Sequence, residues 1–336
     1  MFKVVLAVAC LVLSTAALRA DNLDDLAAAK AAVEVGNGAE AIRLFTQALA
    51  TGSLSPADQA AARKGRGNEY IAKSMIADNF ERGDEARSLR ESAIADFTAA
   101  LALKPGDASF NIARGQAYHF NRQYDLAIAD FDAAFKLDNS ANTVVQRAAS
   151  LRAKGDYDRA AADYTAALAL GGKEAGLEGW EIYNERGYSQ FLAARYDAAA
   201  DDFEKALTIG SALHSGDVLW LPYQAAWLHI ARARAGQNDA EELSRNAAKL
   251  DLKQWPGTLV AYFLGQATLD QISPPSNHGA MGRGRECNLS FFTGEHALIK
   301  KDSAEASRLF ARAHEVCNVH TVTALASTVE LKRLAK

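Results

Sequence analysis

The feature that most constrains this chain is a recurring interval. Gly115, Ala127, Phe131 and Ala134 stand twelve, four and three residues apart, and the same interval returns at Gly187, Ala199, Phe203 and Ala206 and at Gly294, Ala306, Phe310 and Ala313. Between the first two sets lies a copy with Ala148 in the glycine's place, followed by Ala160, Tyr164 and Ala167. Alanines and one aromatic at three-four spacing mark one face of a helix. A glycine one helix earlier removes bulk where a second backbone must approach. No such hairpin can bury its apolar face alone, so successive copies must stack.

Two further copies are incomplete or stretched. The first keeps only Ala41, Phe45 and Ala48, whereas another has Gly67 and Tyr70, then Ala93, Phe97, Ala100 and Pro105, with the glycine and first alanine 26 residues apart. About fourteen residues are therefore inserted near 74–90; they are charged and free of proline, which predicts an extended helix pair rather than a loop. Arg122-Gln123-Tyr124-Asp125 and Gly155-Asp156-Tyr157-Asp158 read as the turns inside hairpins.

On these residues the chain resembles the tetratricopeptide repeat family from about Leu23 to Ile209 and again from Cys287 to Asn318. The resemblance implies an all-α fold, a right-handed solenoid of antiparallel helix hairpins, with the first helix of each hairpin lining a concave groove. Projecting the register onto that face selects Lys64, Asn68, Gln116, His119, Asn142, Arg152, Asn184 and Tyr188 as partner-binding residues. Lys64 and Asn68, one turn apart, resemble half of the clamp by which some members grip a terminal carboxylate, but Ala113 stands where the other half needs an amide. Arg66, Arg114, Arg147 and Arg186 share one register position, and Asp96, Asp130, Asp163 and Asp202 another. An exposed charge ladder between hairpins is expected, each pair contributing within about 1 kcal/mol.

The chain reads in five segments: a signal peptide over 1–20, repeats over 21–210, irregular helical hairpins over 211–272, an exposed loop over 273–286, and a last hairpin with a capping helix over 287–336. The signal reading rests on Met1-Phe2-Lys3, the apolar run Val4 to Leu13, and the small residues up to Ala20, with cleavage after Ala16, Ala17 or Ala20. The run is about half the roughly 20 residues of a membrane span, so the mature chain is expected to have no transmembrane segment and to be periplasmic or secreted. Lipid attachment at Cys10 is disfavoured, because Ala7 occupies the place where the acylation box carries leucine.

In an oxidising compartment the two remaining cysteines, Cys287 and Cys317, are expected to form a disulfide clamping the last hairpin; two buried thiols are the alternative. His314, Cys317 and His320 with Cys287 combine zinc-ligand types, yet two of them sit where a helix is about to end, and no metal is expected. Lys+Arg 37 against Asp+Glu 41 leaves a formal net charge of -4 with no basic block, which argues against nucleic acid. No nucleophile with a base and no phosphate cradle stands out, and Gly282-Arg283-Gly284-Arg285 is too short for a dinucleotide loop. The reading is a non-enzymatic scaffold without cofactors that binds proteins or peptides, with self-association left open.

Gln254-Trp255-Pro256, Tyr262-Phe263-Leu264-Gly265, Phe291-Phe292 with Gly294-Glu295, and the closing Glu330 to Leu334 run resemble the tail of envelope adaptors of the new-lipoprotein-I type. That resemblance implies a periplasmic adaptor for envelope proteins, among them cell-wall hydrolases or a protease. The alternative is a structural subunit of an export or polysaccharide-secretion complex.

Overall fold

Helices in this chain start where a short polar side chain can close their first turn. Ser55 accepts from the Asp58 N–H with Pro56 next in line, Asp107 from Ser109, Ser140 from Thr143, Asp156 from Arg159, Asp302 from Glu305 and Thr321 from Ala324. Each such cap satisfies a backbone donor that the helix itself cannot, a contribution of about 1 kcal/mol. The helix that ends at Lys154 stops at Gly155, whose φ of 98° belongs to the left-handed region that glycine enters freely.

The computed structural model describes residues 23–50, 52–80, 82–171, 179–213, 220–273, 280–318 and 321–336. The signal-peptide reading of 1–20, Cys10 and His320 lie outside these residues. Among the described residues all regular structure is helical. The order is α1 (23–34), α2 (Gly38–Ala50), α3 (Pro56–Asn79), α4 (Gly83–Leu103), α5 (Ala108–Phe120), α6 (Tyr124–Asp138), α7 (Ala141–Lys154), α8 (Tyr157–Ala169), α9 (Gly179–Leu192) and α10 (Tyr196–Leu213). There follow α11 (Leu221–Arg234), α12 (Ala240–Ala247), α13 (Gly257–Phe263), α14 (Leu269–Ile272), α15 (Ala280–Ile299), α16 (Ser303–Val316) and α17 (Val322–Leu334).

The chain forms two compact units, one ending at Asn139 and the other spanning Ser140–Lys336. In the first, consecutive helices pack in pairs: α1 with α2, α3 with α4 and α5 with α6. The α3–α4 pair is the longest, 24 and 21 residues, and carries the stretch inserted near 74–90. Its core repeats one contact. A Cβ on Gly67 would lie 2.6 Å from the Phe97 ring, and one on Gly115 2.9 Å from the Phe131 ring. The bare glycine backbone is what lets each ring lie flat against the partner helix, and Phe97 and Phe131 are buried as a result.

The second unit pairs α7 with α8, α9 with α10 and α15 with α16. The glycine–aromatic contact recurs at Gly187 with Phe203 and Gly294 with Phe310, while Ala148 faces no glycine's gap and its hairpin carries Tyr164 instead. Trp227 of α11 sits at the hub, its ring 4.9 Å from Tyr188, 5.2 Å from Phe191 and 4.9 Å from Phe291. Burying rings of this size stabilises by about 1.5–3 kcal/mol each. α17 packs on α16 and α15 and returns to α9, where Arg333 donates to the Leu192 carbonyl.

Two expectations need correction. Of the exposed loop expected over 273–286, residues 280–286 belong to α15, which begins at Ala280, and 274–279 lie outside the described residues. Arg285 anchors those early turns: its guanidinium donates to the Ile272 carbonyl at 2.9 Å and lies 4.8 Å over the Trp255 ring. The charge ladder is also neither exposed nor between hairpins. Arg66–Asp96, Arg114–Asp130, Arg147–Asp163 and Arg186–Asp202 each join the two helices of one hairpin through paired N–H···O bonds of 2.7–2.8 Å. Asp96, Asp130 and Asp202 are buried. The link to the preceding hairpin runs instead through a threonine hydroxyl, Thr46 for Arg66, Thr98 for Arg114 and Thr165 for Arg186.

Candidate functional site

In the second unit a polar cluster is built from four helices, α7, α8, α9 and α11. Arg152, in the last turn of α7, reaches across to Glu185 of α9 at 2.7 Å. The hydroxyl of Tyr164, from α8, donates to the same carboxylate at 3.3 Å. Asn184 and Tyr188 stand one turn apart on α9 and therefore share a face. The side chains of Asn184 and of Gln224, from α11, hydrogen-bond the Tyr188 hydroxyl. The Arg152 guanidinium lies 5.7 Å over the Tyr188 ring, which also meets Phe203 at 5.4 Å and Trp227 at 4.9 Å.

Burial governs the electrostatics of this cluster. Desolvation works against the Arg152 charge, but Glu185 and the neighbouring tyrosines outweigh it and hold the guanidinium above its ordinary range. Burial pushes the Tyr188 hydroxyl up to about 12, with Glu185 adding to the effect and Asn184, Gln224 and Arg152 opposing it. Burial likewise raises Tyr164. Both phenols stay protonated at neutral pH, so the Arg152–Glu185 pair supplies the charge and the pair sums to zero.

Three polar atoms in the same cluster are buried without a hydrogen-bond partner among the described residues: Arg152 Nη1, Asn184 Oδ1 and Gln224 Oε1. Asn184 and Gln224 are 8% and 3% exposed. An unsatisfied buried group costs roughly 1–3 kcal/mol, so three together are a departure from the usual closed ledger of folded proteins. Of the groove residues read from sequence, Arg152, Asn184 and Tyr188 meet here, and Asn142 lies in the first turn of α7. Glu185, Gln224 and Tyr164 complete the cluster and were not selected. Glu185 is one position off the groove register, Gln224 belongs to a helix without the repeat interval, and Tyr164 occupies a slot that packing alone explains.

In the first unit the selected residues do not gather. Lys64 is half-buried with Nζ 5.6 Å over the Phe110 ring, and its charge helps hold the Asp107 carboxyl below its ordinary value, behind the hydrogen bond from Ser109. Asn68 is exposed on the next turn. His119 is half-buried and packs edge-on against Phe120 and Tyr124 where α5 turns into α6. Gln116 is half-buried on α5.

A second polar assembly lies deeper in the Ser140–Lys336 unit. Arg234 of α11 bonds Glu295 of α15 at 2.5 Å and Glu330 of α17 at 3.3 Å, and stacks 4.6 Å over the Tyr196 ring. Arg333 pairs with Glu330 and reaches the Tyr196 hydroxyl. Burial raises the Glu295 carboxyl to about 8 even though Arg234 opposes it, in keeping with one oxygen that has no partner. Near it, burial beside Lys300 and His229 lowers His296 to about 4. Cys287 and Cys317 form the disulfide, Cα atoms 4.8 Å apart, tying the second turn of α15 to the end of α16. His314 bonds Thr328 instead of turning toward them. Among the described residues no group of three or more His, Cys, Asp or Glu side chains is placed to hold a metal, and no helix is long and apolar enough to cross a membrane.

Paired helices that recur at one interval define a helical repeat protein. The tetratricopeptide repeat model matches residues 83–142 and 145–218, and these stretches are tetratricopeptide repeats. No curated protein matches the sequence. A crystal structure of a tetratricopeptide repeat protein from Parabacteroides merdae is similar in fold at 12% identity and TM-score 0.55, over 94% of this chain and 99% of that one. Crystal structures of MamA (18% identity, TM-score 0.45, 55% of this chain and 95% of that one) and of YrrB, a tetratricopeptide repeat protein with an unusual peptide-binding site (15%, 0.38, 69% and 97%), also match.

Proposed function

We propose that the protein is an exported scaffold that holds partner proteins against the first-helix face of its Ser140–Lys336 unit. The observation that carries the reading is the match of residues 83–142 and 145–218 to the tetratricopeptide repeat, whose paired helices present a first-helix face to other chains. Export is supported by the Cys287–Cys317 disulfide, a bond that persists in oxidising compartments. Envelope proteins, with wall hydrolases or a processing protease among them, are the partners suggested by the tail segment from Trp255 to Leu334.

A photo-reactive residue placed at Glu181, one turn before Asn184, tests the face in cells. It is expected to cross-link discrete partners, whereas the same group at Ala166 on the exposed side of α8 yields none. Equal labelling from both positions overturns the assignment of the face. Recovery of membrane-embedded export subunits rather than soluble envelope enzymes overturns the adaptor role.

A further inference from the structure

Resting on the scaffold reading, we infer that α17 is a built-in occupant of the face: it lies against first helices of its own unit, and partners gain that part of the face only when it lifts. α17 packs on α15 and on α9, the first helices of two hairpins. The Arg234–Glu330 pair ties it to α11, which comes between them in sequence. Arg333 donates to the Leu192 carbonyl, one of those that the end of α9 leaves unpaired, and to the Tyr196 hydroxyl. Tyr157, at the start of α8, feels the charges of both Arg333 and Arg152, so the seat of α17 borders the Arg152–Glu185 cluster. A partner laid against the last turn of α9 meets α17 first.

That seat is specific but shallow. The buried positions of α17 are Thr323, Ala324, Ala326, Ser327 and Glu330, all small or polar, while Leu325, Val329, Leu331 and Leu334 are only partly buried. Its neighbours sink whole rings, Phe291 and Phe292 from α15 and Phe310 from α16. Burying an alanine or a serine withdraws far less apolar surface than burying a ring, so α17 has a weaker hold on the core than either neighbour. Charge fixes its register: Glu330, 1% exposed, takes Arg234 and Arg333 together. Removing such groups from water offsets much of what their pairing contributes, so the lock decides where α17 sits more than how tightly. The Cys287–Cys317 bond ties α15 to the end of α16 before α17 begins, with Cys287 Sγ 3.3 Å from Thr323 Oγ1. The covalent clamp thus stops short of α17, and α15 and α16 stay closed when it leaves.

The test uses the full chain with its disulfide intact, as wild type, Arg333→Met and Glu330→Gln. In wild type the amides of α17 are expected to exchange about tenfold faster than those of α15 and α16, through an opening that leaves the rest folded. Each variant should speed α17 by about a further tenfold and leave α15 and α16 unchanged. A fluorescein-labelled synthetic peptide of residues 321–336 should bind either variant about tenfold more tightly than wild type, where the tethered helix holds the seat at a high effective concentration. In cells, a photo-reactive residue at Gln190, half-buried in the last turn of α9, should label the chain's own α17 in wild type and several-fold more partner protein in the variants. Exchange of α17 in step with α15 and α16 in all three proteins makes it core and overturns the inference, as does a loss of protection that spreads through α9, α15 and α16 in both variants. Equal peptide uptake by the three proteins overturns it too. Partners caught from Glu181, but no more from Gln190 in the variants than in wild type, overturn the inference and leave the scaffold reading standing. Partners caught from neither position in any of the three overturn both.

Discussion

Replacing Asp202 by asparagine puts the buried Arg–Asp rungs to a quantitative test. Arg186 gives Asp202 two N–H···O bonds, 2.8 and 2.7 Å, while its remaining nitrogen bonds Thr165 at 2.9 Å. The aspartate side chain is 4% exposed and that of arginine 16%, so both charges have lost most of their water. Asparagine can keep one acceptor but not the charge. Losing one charge-assisted bond removes about 1.5–3 kcal/mol, and stranding the guanidinium adds to it, for a total of roughly 3 kcal/mol. In a unit of this size that is a fall in melting temperature of about 6–12 °C. Urea unfolding followed by far-ultraviolet circular dichroism should be run on wild type, Asp202→Asn, Arg186→Met and the double variant Arg186→Met/Asp202→Leu. The double variant should lose less than the sum of the two single losses, because it strands no charge. About 1 M salt should leave the coupling largely intact, since screening acts weakly on groups away from water. A loss below about 1 kcal/mol that vanishes in salt would refute the reasoning and return the pair to the exposed class.

Other tests address the remaining contacts. Gly187→Ala would drive a methyl to 2.7 Å from the Phe203 ring, whereas Gly284→Ala, also within a helix, meets nothing within 4 Å. The second should gain up to about 1 kcal/mol from helix propensity, and the first should be net destabilising despite that gain; equal shifts in thermal melts would refute the close approach. Replacing Cys287 and Cys317 by alanine opens a loop of sequence separation 30, and the chain-entropy model gives a loss of about 3–4 kcal/mol, with hydrogen exchange rising first in α15 and α16. Unreduced, denatured protein that titrates two thiols would contradict the bond. Glu295 has its folded value raised to about 8 from an ordinary 4.5, so its contribution is fully present below 4.5 and is lost as pH rises toward 8. His296, lowered from 6.5 to about 4, contributes above 6.5 and loses that contribution as pH falls toward 4. Glu295→Gln should therefore flatten the decline in melting temperature between neutral pH and 8, and an unchanged slope would exclude the carboxyl as its source.

What the sequence disclosed and what it withheld follow from how each feature is encoded. Gly115, Phe131 and their counterparts are legible because a helix pair in van der Waals contact demands a fixed interval and a missing side chain. Arg114 and Asp130 were legible as a register but not as partners, since a separation of sixteen residues suits a rung within a hairpin and one between hairpins equally well. Arg152, Asn184 and Tyr188 fell on the groove register, yet Glu185 joined them only because a long arginine can reach one position off that line. The Arg234, Glu295 and Glu330 assembly has no local signature: its members lie 61 and 96 residues apart and meet only when α17 folds back. The first turns of α15 read as loop because Ser273 to Gly284 carries two prolines and three glycines, and the Trp255–Arg285 stacking that holds them is a contact across thirty residues.

Because both members of each Arg–Asp rung are written into the same hairpin, copying one hairpin in tandem copies a whole charge pair. A genome that lengthens or shortens this array by whole hairpins never splits a rung, and the boundary before Gly179 differs in one respect, that Arg152 and Glu185 pair across it. Ladders strung from one unit to the next would have left an unmatched charge at every new end; this wiring makes length itself a variable that selection can change without first repairing the core.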